Sequence, residues 1–159
     1  FARGSGFGQL LVARAVMGPF VDRERPYQAH VIPWEMRTFG VPRKFVEQVL
    51  PSGPRFRGRV FVAGGRWTGS MGEGLMIGFD AIGAVTIGSD LGDLLGALQN
   101  RRLNASKALI DLGTEQMLHV NGTPREAFRP KVFLANAERT ADGDPALQVV
   151  QRAMGAPAR

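Results

Sequence analysis

The chain has 159 residues, of which 44% are hydrophobic and 21% charged, so it is long enough to bury one core and too short to need two. It contains no cysteine, which excludes disulfides, thiolate metal sites and a cysteine nucleophile. Its net charge of +6 raises the question of nucleic acid, but the basic residues are scattered and no basic stripe interleaved with aromatics occurs, so we expect no nucleic-acid partner.

The first third of the chain predicts two helices with an irregular segment between them. Leu10–Met17 has apolar residues at both helical spacings, which predicts a largely buried helix. Residues 18–41 mix prolines and charges, which favours a loop. Pro42–Leu50 opens with proline in a first-turn position and stops before Pro51, which predicts a short helix.

The middle of the chain predicts a strand, a glycine-rich turn and a helix. Arg59–Ala63 is a β-branched and aromatic run that ends at two glycines, which is typical of a buried strand. A helix that starts near Ser70 would carry on one face the apolar residues Met71, Leu75, Phe79 and Ile82. Gly74 and Gly78 lie in this helix, where each costs about 1 kcal/mol relative to alanine. We therefore expect another chain segment or a bound peptide to approach this helix closely.

The remainder predicts further strands and a terminal helix. The predicted strands are Ala84–Gly88, a segment around Leu103, Ala108–Ile110 and Lys131–Leu134, with Leu91–Leu98 as a loop or short helix. Asp144 as N-cap and Pro145 at the first helical position begin a helix that ends at Gly155. Strands separated by helical segments indicate a layered α/β fold in one domain, residues 1–159. No apolar run approaches the roughly 20 residues of a membrane span.

Ser70 stands out as a candidate nucleophile. Residues 66–74 place its hydroxyl on a glycine-rich turn between a buried strand and a helix N-terminus, where free N–H groups and the helix dipole can stabilise an oxyanion. The same residues also match a capping box, with Ser70 as N-cap and Glu73 three residues later, which needs no catalysis. The α/β-hydrolase motif fails at Thr68 and the phosphate-binding loop fails at Leu75.

Residues 66–73, Arg-Trp-Thr-Gly-Ser-Met-Gly-Glu, resemble the nucleophile segment of the tail-specific and tricorn-type serine peptidases. In that family a serine followed three residues later by glutamate begins the helix after a core strand. Residues 3–8 resemble the tail of the family's strand-end motif, with one glycine of its pair kept as Gly8; residues 84–89 resemble its valine-rich strand, and 142–147 its terminal helix. The resemblance implies a ClpP/crotonase-like fold, of which this chain is the carboxyl-terminal, incomplete part.

The resemblance also implies roles for individual residues. Ser70 would be the nucleophile, with the N–H groups of Met71 and Gly8 as oxyanion donors. The tail-processing branch uses a lysine downstream of the serine, but no lysine occurs between Lys44 and Lys107, so a Ser–Lys dyad is disfavoured. The tricorn branch uses an earlier histidine and a later glutamate.

His30 is the candidate for that histidine, and Glu126 for the glutamate, with Glu115 as a second candidate. Each also has a structural interpretation: His30 as a locally hydrogen-bonded histidine and Glu126 as a surface ion pair beside Arg125. His119, before an Asn-Gly turn, is interpreted as structural.

We predict a serine-type endopeptidase that binds a peptide or protein substrate by strand addition beside Ser70 and cleaves it through an acyl-enzyme, without metal or cofactor. One alternative is a non-catalytic, peptidase-like domain that binds a ligand or peptide, which the missing lysine favours. Another is a crotonase-like acyl-transfer enzyme. The resemblance favours a bacterial periplasmic or secreted location, and an oligomer is compatible with the sequence.

Overall fold

The computed structural model describes residues 6–135, 140–141 and 143–155. Its helices are α1 (Gly6–Met17), α2 (Pro33–Phe39), α3 (Met71–Ala81) and α4 (Pro145–Ala153), with 3-10 turns at Gly18–Phe20 and Arg125–Ala127. Its strands are β1 (Arg25–Ile32), β2 (Arg43–Val49), β3 (Phe61–Gly64), β4 (Val85–Gly88), β5 (Ala97–Arg102), β6 (Leu109–Leu118) and β7 (Val132–Phe133). In the described residues, every helix is too short or too polar to span a bilayer.

Strands β3, β4 and β7 form a parallel sheet in that order. β3 and β4 pair from Phe61 opposite Val85 to Gly64 opposite Gly88, and α3 supplies the crossover that a parallel pair requires. The predicted sequence of strand, glycine-rich turn, helix and second strand is therefore confirmed, and with it the mixed α/β class.

Strands β2, β1, β6 and β5 form an antiparallel sheet in that order. Two predictions are wrong here, because residues 18–41, predicted as a loop, contain β1 and α2, and residues 42–50, predicted as a helix, contain β2. β1 pairs with β2 from Arg25 opposite Val49 to Ile32 opposite Arg43, and with β6 on its other side. Pairing with distant strands overrode the weak local signals, and the proline that opens a helix is Pro33 rather than Pro42.

The terminal helix was predicted correctly. Pro145 is its first residue, and Asp144 Oδ1 accepts the N–H groups of Ala146 at 3.0 Å and Leu147 at 3.1 Å. The predicted resemblances at residues 3–5 and at residue 142 lie outside the described residues.

Helix α3 packs between two groups of buried side chains. The first group comprises Ala13, Met17, Val21, Tyr27, Val49, Phe79 and Ala84. The second comprises Met76, Ile77, Leu91 and Phe128. α1 contributes Ala13 and Met17 to the core but leaves Leu11 62% exposed, so the prediction that this helix is largely buried is wrong for one of its faces.

Gly78 of α3 is a point of close approach between α3, α1 and β1. A Cβ at this position would lie 2.8 Å from Met17 Sδ and 3.1 Å from Tyr27 Cδ2. Both distances are too short for ordinary van der Waals contact, so the glycine allows the helix to sit against the first core group.

We expect Gly78→Ala to destabilise the protein by about 1–3 kcal/mol, because overpacking outweighs the gain of up to about 1 kcal/mol in helix propensity. Thermal unfolding measures the change. Gly113→Ala is the control, since a methyl group there meets nothing within 4 Å. A higher melting temperature for Gly78→Ala than for the wild type would show that Met17 moves aside at little cost.

Candidate active site

The turn between β3 and α3 holds Ser70 in a strained backbone conformation. The N–H of Gly65 donates to Thr68 Oγ1 at 3.1 Å and the N–H of Thr68 donates to Gly65 O at 2.7 Å, which closes the start of the turn. Ser70 follows with φ 54° and ψ −117°, and it is exposed. Residues other than glycine rarely adopt positive φ, and such strain persists where the surrounding structure enforces it. A strained strand-to-helix turn is also how α/β-hydrolases present their nucleophile, although the motif differs here.

Ser70 lies at the N-terminus of α3, as predicted. Met71 is the first helical residue, so its N–H has no acceptor within the helix and lies at the positive end of the helix dipole. Gly8 lies in the first turn of α1. The role of Gly8 as a second oxyanion donor stays a prediction.

Glu73 ties the Ser70 turn to the segment that follows β4. It occupies the capping-box position in α3, where its Oε2 accepts the N–H of Ser70 at 2.7 Å. Its Oε1 accepts the N–H of Leu94 at 3.0 Å. The N–H of Gly92 also donates to Thr68 O at 2.9 Å, so this segment is hydrogen-bonded to the turn at two places.

Arg125 is the buried counter-ion of Glu73. Its Nε lies 3.6 Å from Glu73 Oε2, and its Nη2 donates to the carbonyl oxygens of Leu94 at 2.6 Å and Gly96 at 2.8 Å. Burial lowers the pKa of Arg125, while the carboxylates of Glu73 and Glu126 act in the opposite direction. No sequence pattern indicates this role, because Arg125 stands beside Glu126, which predicts a surface ion pair.

The buried His30 and the partly exposed Glu115 form a pair on neighbouring strands of the antiparallel sheet. His30 is 2% exposed, and its Nδ1 lies 2.7 Å from Glu115 Oε2. Its Nε2 lies 2.9 Å from the amide nitrogen of Gln28. With the Gln28 amide nitrogen as the donor, His30 Nε2 accepts, and this assignment puts the ring proton on Nδ1, facing Glu115 Oε2. A catalytic histidine base has this tautomer.

The strand that carries His30 packs against α3 through Tyr27 and Gln28. A Cβ on Gly78 would meet Tyr27, whereas a Cβ on Gly74 would lie 3.0 Å from Gln28 Oε1, so β1 runs toward the N-terminus of α3. His30 is two residues beyond Gln28, about 6.6 Å along a strand. Ser70 is four residues before Gly74, about 6 Å along a helix. Gln28, two residues before His30 on β1, thus packs against α3 one turn after Ser70.

Glu126 and His119 are the remaining candidate residues. Glu126 lies on the 3-10 turn Arg125–Ala127, and its buried Oε2 has no hydrogen-bond partner among the described residues. The carboxylate that contacts His30 is therefore that of Glu115. His119 Nε2 lies 3.3 Å from Asp80 Oδ2 near the C-terminal end of α3, and Lys131 Nζ lies 3.2 Å from Asp80 Oδ1. Residues 6–135, 140–141 and 143–155 contain no group of three side chains suited to a metal ion.

Solved structures with this architecture include proteins described as peptidases. A candidate peptidase from Parabacteroides merdae superposes with a TM-score of 0.67 at 13% identity, over 92% of this chain and 47% of its own. Mature CPAF superposes with a TM-score of 0.61 at 12% identity, over 82% of this chain and 37% of its own. The fold is peptidase-like.

A lipoprotein from Streptococcus agalactiae shares this peptidase-like fold. Its TM-score is 0.67 at 9% identity, over 92% of this chain and 49% of its own. The chain thus spans less than half the length of each of these structures. No protein-family model and no curated protein sequence matches it.

Proposed function

We propose that this chain carries the nucleophile and the base of a serine-type endopeptidase of the tail-specific and tricorn-type family, with a ClpP/crotonase-like fold. The observation that carries the proposal is the strained conformation of Ser70, an exposed serine with positive φ at a helix N-terminus. A serine that only capped the helix would not need this strain, because N-cap residues ordinarily adopt extended backbone angles. Strain of this kind clusters at active sites.

His30 is the proposed general base and Glu115 the residue that orients it, in place of the predicted Glu126. His30 Nε2 takes the proton from Ser70 Oγ as Oγ bonds to the substrate carbonyl carbon. The N–H groups of Met71 and Gly8 would then bind the oxyanion. As the C–N bond breaks, His30 returns the proton to the leaving amine, and water hydrolyses the acyl-enzyme by the same steps.

Gln28 blocks the nitrogen of His30 that would accept this proton. Its amide nitrogen occupies His30 Nε2 at 2.9 Å, and its Oε1 is buried without a hydrogen-bond partner in the described part of the chain. The side chain therefore has to turn away from His30 before the histidine can accept a proton, and the orphaned oxygen lowers the cost of leaving this position.

The proposed substrate is an extended peptide. β3 forms an edge of the parallel sheet, and Ser70 follows it directly after the turn. An edge strand offers unpaired backbone groups along which a peptide can add as a further strand. This arrangement would carry the peptide past the Ser70 hydroxyl.

One observation favours a second candidate function. The contact of Gln28 with His30 Nε2 is what a non-catalytic domain would retain, because a histidine with both nitrogens engaged is a satisfied core residue. Such a domain would bind a peptide at the β3 edge without cleaving it.

A fluorophosphonate probe distinguishes the two functions. We expect the probe to label the wild-type protein on Ser70 and the Ser70→Ala variant to lose all labelling, since the alanine has no nucleophilic oxygen. Ser89→Ala is the control, because Ser89 follows β4 and its hydroxyl donates to Asp90 O. An unlabelled wild type would favour the non-catalytic function, and persistent labelling of Ser70→Ala would remove Ser70 from the site.

A further inference from the structure

We infer that Arg125 is a positioning residue for the nucleophile and acts on Ser70 through the carboxylate of Glu73. The inference rests on the proposed role of Ser70 and extends it to a residue 55 positions later in the chain. Arg125 itself lies on the 3-10 turn after β6 and contacts the segment after β4.

The carboxylate of Glu73 joins the Ser70 turn to a neighbouring segment. This side chain is fully buried and uses both oxygens, Oε2 for the N–H of Ser70 and Oε1 for the N–H of Leu94. Hydrogen bonds to an ionised acceptor are shorter and about twice as strong as neutral ones. The carboxylate therefore holds the strained residue and the neighbouring segment at a fixed distance from each other.

A buried carboxylate is costly unless a cation lies beside it. Arg125, 3% exposed, places its Nε 3.6 Å from Glu73 Oε2 and anchors its Nη2 on the carbonyl oxygens of Leu94 and Gly96. The guanidinium thus faces the carboxylate as an ion pair, with its Nε making no hydrogen bond among the described residues, and it binds the same segment that the carboxylate binds.

Negative charge develops on the substrate oxygen near the N–H of Met71, one residue from the N–H that Glu73 accepts. A buried carboxylate without a counter-ion, so close to this oxygen, would oppose that charge. Arg125 offsets it. Loss of Arg125 should therefore slow acylation both by loosening the turn and by exposing the oxyanion to the charge of Glu73.

The pair Arg14–Glu47 is a matched control. It also joins an arginine to a buried glutamate, and Glu47 is further contacted by the hydroxyl of Tyr27 at 3.5 Å. The pair links α1 to β2, away from the Ser70 turn. Breaking it should lower stability without moving the nucleophile.

The experiment compares Arg125→Met, Glu73→Gln and Arg14→Met with the wild type, at a temperature where all are folded. Amide hydrogen exchange is followed by NMR at Ser70 and Leu94, and the rate of fluorophosphonate labelling is measured in parallel. Glu73→Gln keeps the size of the side chain but replaces one acceptor oxygen with a donor, so it cannot hold both N–H groups as the carboxylate does.

We expect exchange at Ser70 and Leu94 to speed up by about tenfold or more, and labelling to slow by about 10–100-fold, in Arg125→Met and Glu73→Gln, since a misplacement of about 1 Å costs about 100-fold in rate. Arg14→Met should lower the melting temperature and leave amide exchange at Ser70 and Leu94 unchanged. Equal exchange and labelling in all three variants would overturn the inference.

The experiment remains informative in two further cases. If Arg125→Met does not fold, Glu73→Gln carries the test alone. If the wild type is not labelled, the proposed function fails, and amide exchange by itself shows whether Arg125 and Glu73 hold Ser70 in place. Exchange at Ser70 that is no faster in Glu73→Gln than in Arg14→Met would then reject the inference separately.

Discussion

His30→Gln is expected to slow labelling of Ser70 by about 10²–10⁴-fold, because general-base catalysis contributes a factor of this size. Glutamine retains a polar side chain near Gln28 and Glu115 but cannot take up a proton at neutral pH. Glu115→Gln should have an effect in the same direction, since it removes the charge that stabilises the imidazolium as it forms. The measurement is the second-order rate constant of labelling.

His119→Gln is the control for this experiment. His119 is also a buried histidine beside a carboxylate, that of Asp80, but near the opposite end of α3. We expect it to lower stability and leave the labelling rate of the folded protein unchanged. Equal rates for His30→Gln and the wild type would mean that another group takes the proton. A larger effect of Glu126→Gln than of Glu115→Gln would restore Glu126 as the orienting carboxylate.

Gly88→Ala should be the most destabilising of the glycine substitutions, at about 3–5 kcal/mol, since overpacking and a special φ combine at one position. A Cβ at Gly88 would overlap the carbonyl oxygen of Gly64 on the paired strand and lie 2.8 Å from its carbonyl carbon, and φ is 143°. Backbone of a paired strand cannot yield as the end of a flexible side chain can. The melting temperature should fall by roughly 10 °C or more.

Gly83→Ala separates the two causes. Gly83 also has a positive φ, 98°, but a Cβ there meets nothing within 4 Å. This variant should therefore show only the cost of the backbone conformation, about 1–2 kcal/mol. Similar losses in both variants would mean that the contact with Gly64 relaxes and that φ alone sets the effect.

The predictable part of the fold is the part with local signals. The β3–α3–β4 unit is predicted by a β-branched run, paired glycines and apolar residues on one helical face. Ser70 is predicted as a candidate by its position between the strand and the helix. β1 and β2 lack such signals. Their secondary structure depends on strand pairing, as where His30 lies opposite Phe45. The local pattern of prolines predicts a loop and a helix instead.

The residues of the candidate site also include some that the sequence predicts and some that only the tertiary structure reveals. The resemblance pointed to His30 and to two glutamates, but the choice between Glu115 and Glu126 depends on a contact that spans 85 residues of sequence. Arg125 could not be found, because burial beside Glu73 is a property of the tertiary structure and an arginine in a Pro-Arg-Glu segment is usually solvated.

The residues of the proposed site belong to two different sheets, and this has a mechanical consequence. Ser70 follows a strand of the parallel sheet, whereas His30 and Glu115 belong to the antiparallel sheet. Within a sheet the spacing of strands is fixed by hydrogen bonds at about 4.8 Å. The distance between the two sheets depends instead on side-chain packing around α3 and on the contact of Glu73 with Arg125.

Packed layers can slide past one another by small amounts without breaking the hydrogen bonds inside either layer. In the proposed enzyme, a slide of about 1 Å would separate nucleophile from base and lower the rate by about 100-fold. Such a slide would change the rate of the proposed enzyme at an energetic cost far below that of unfolding.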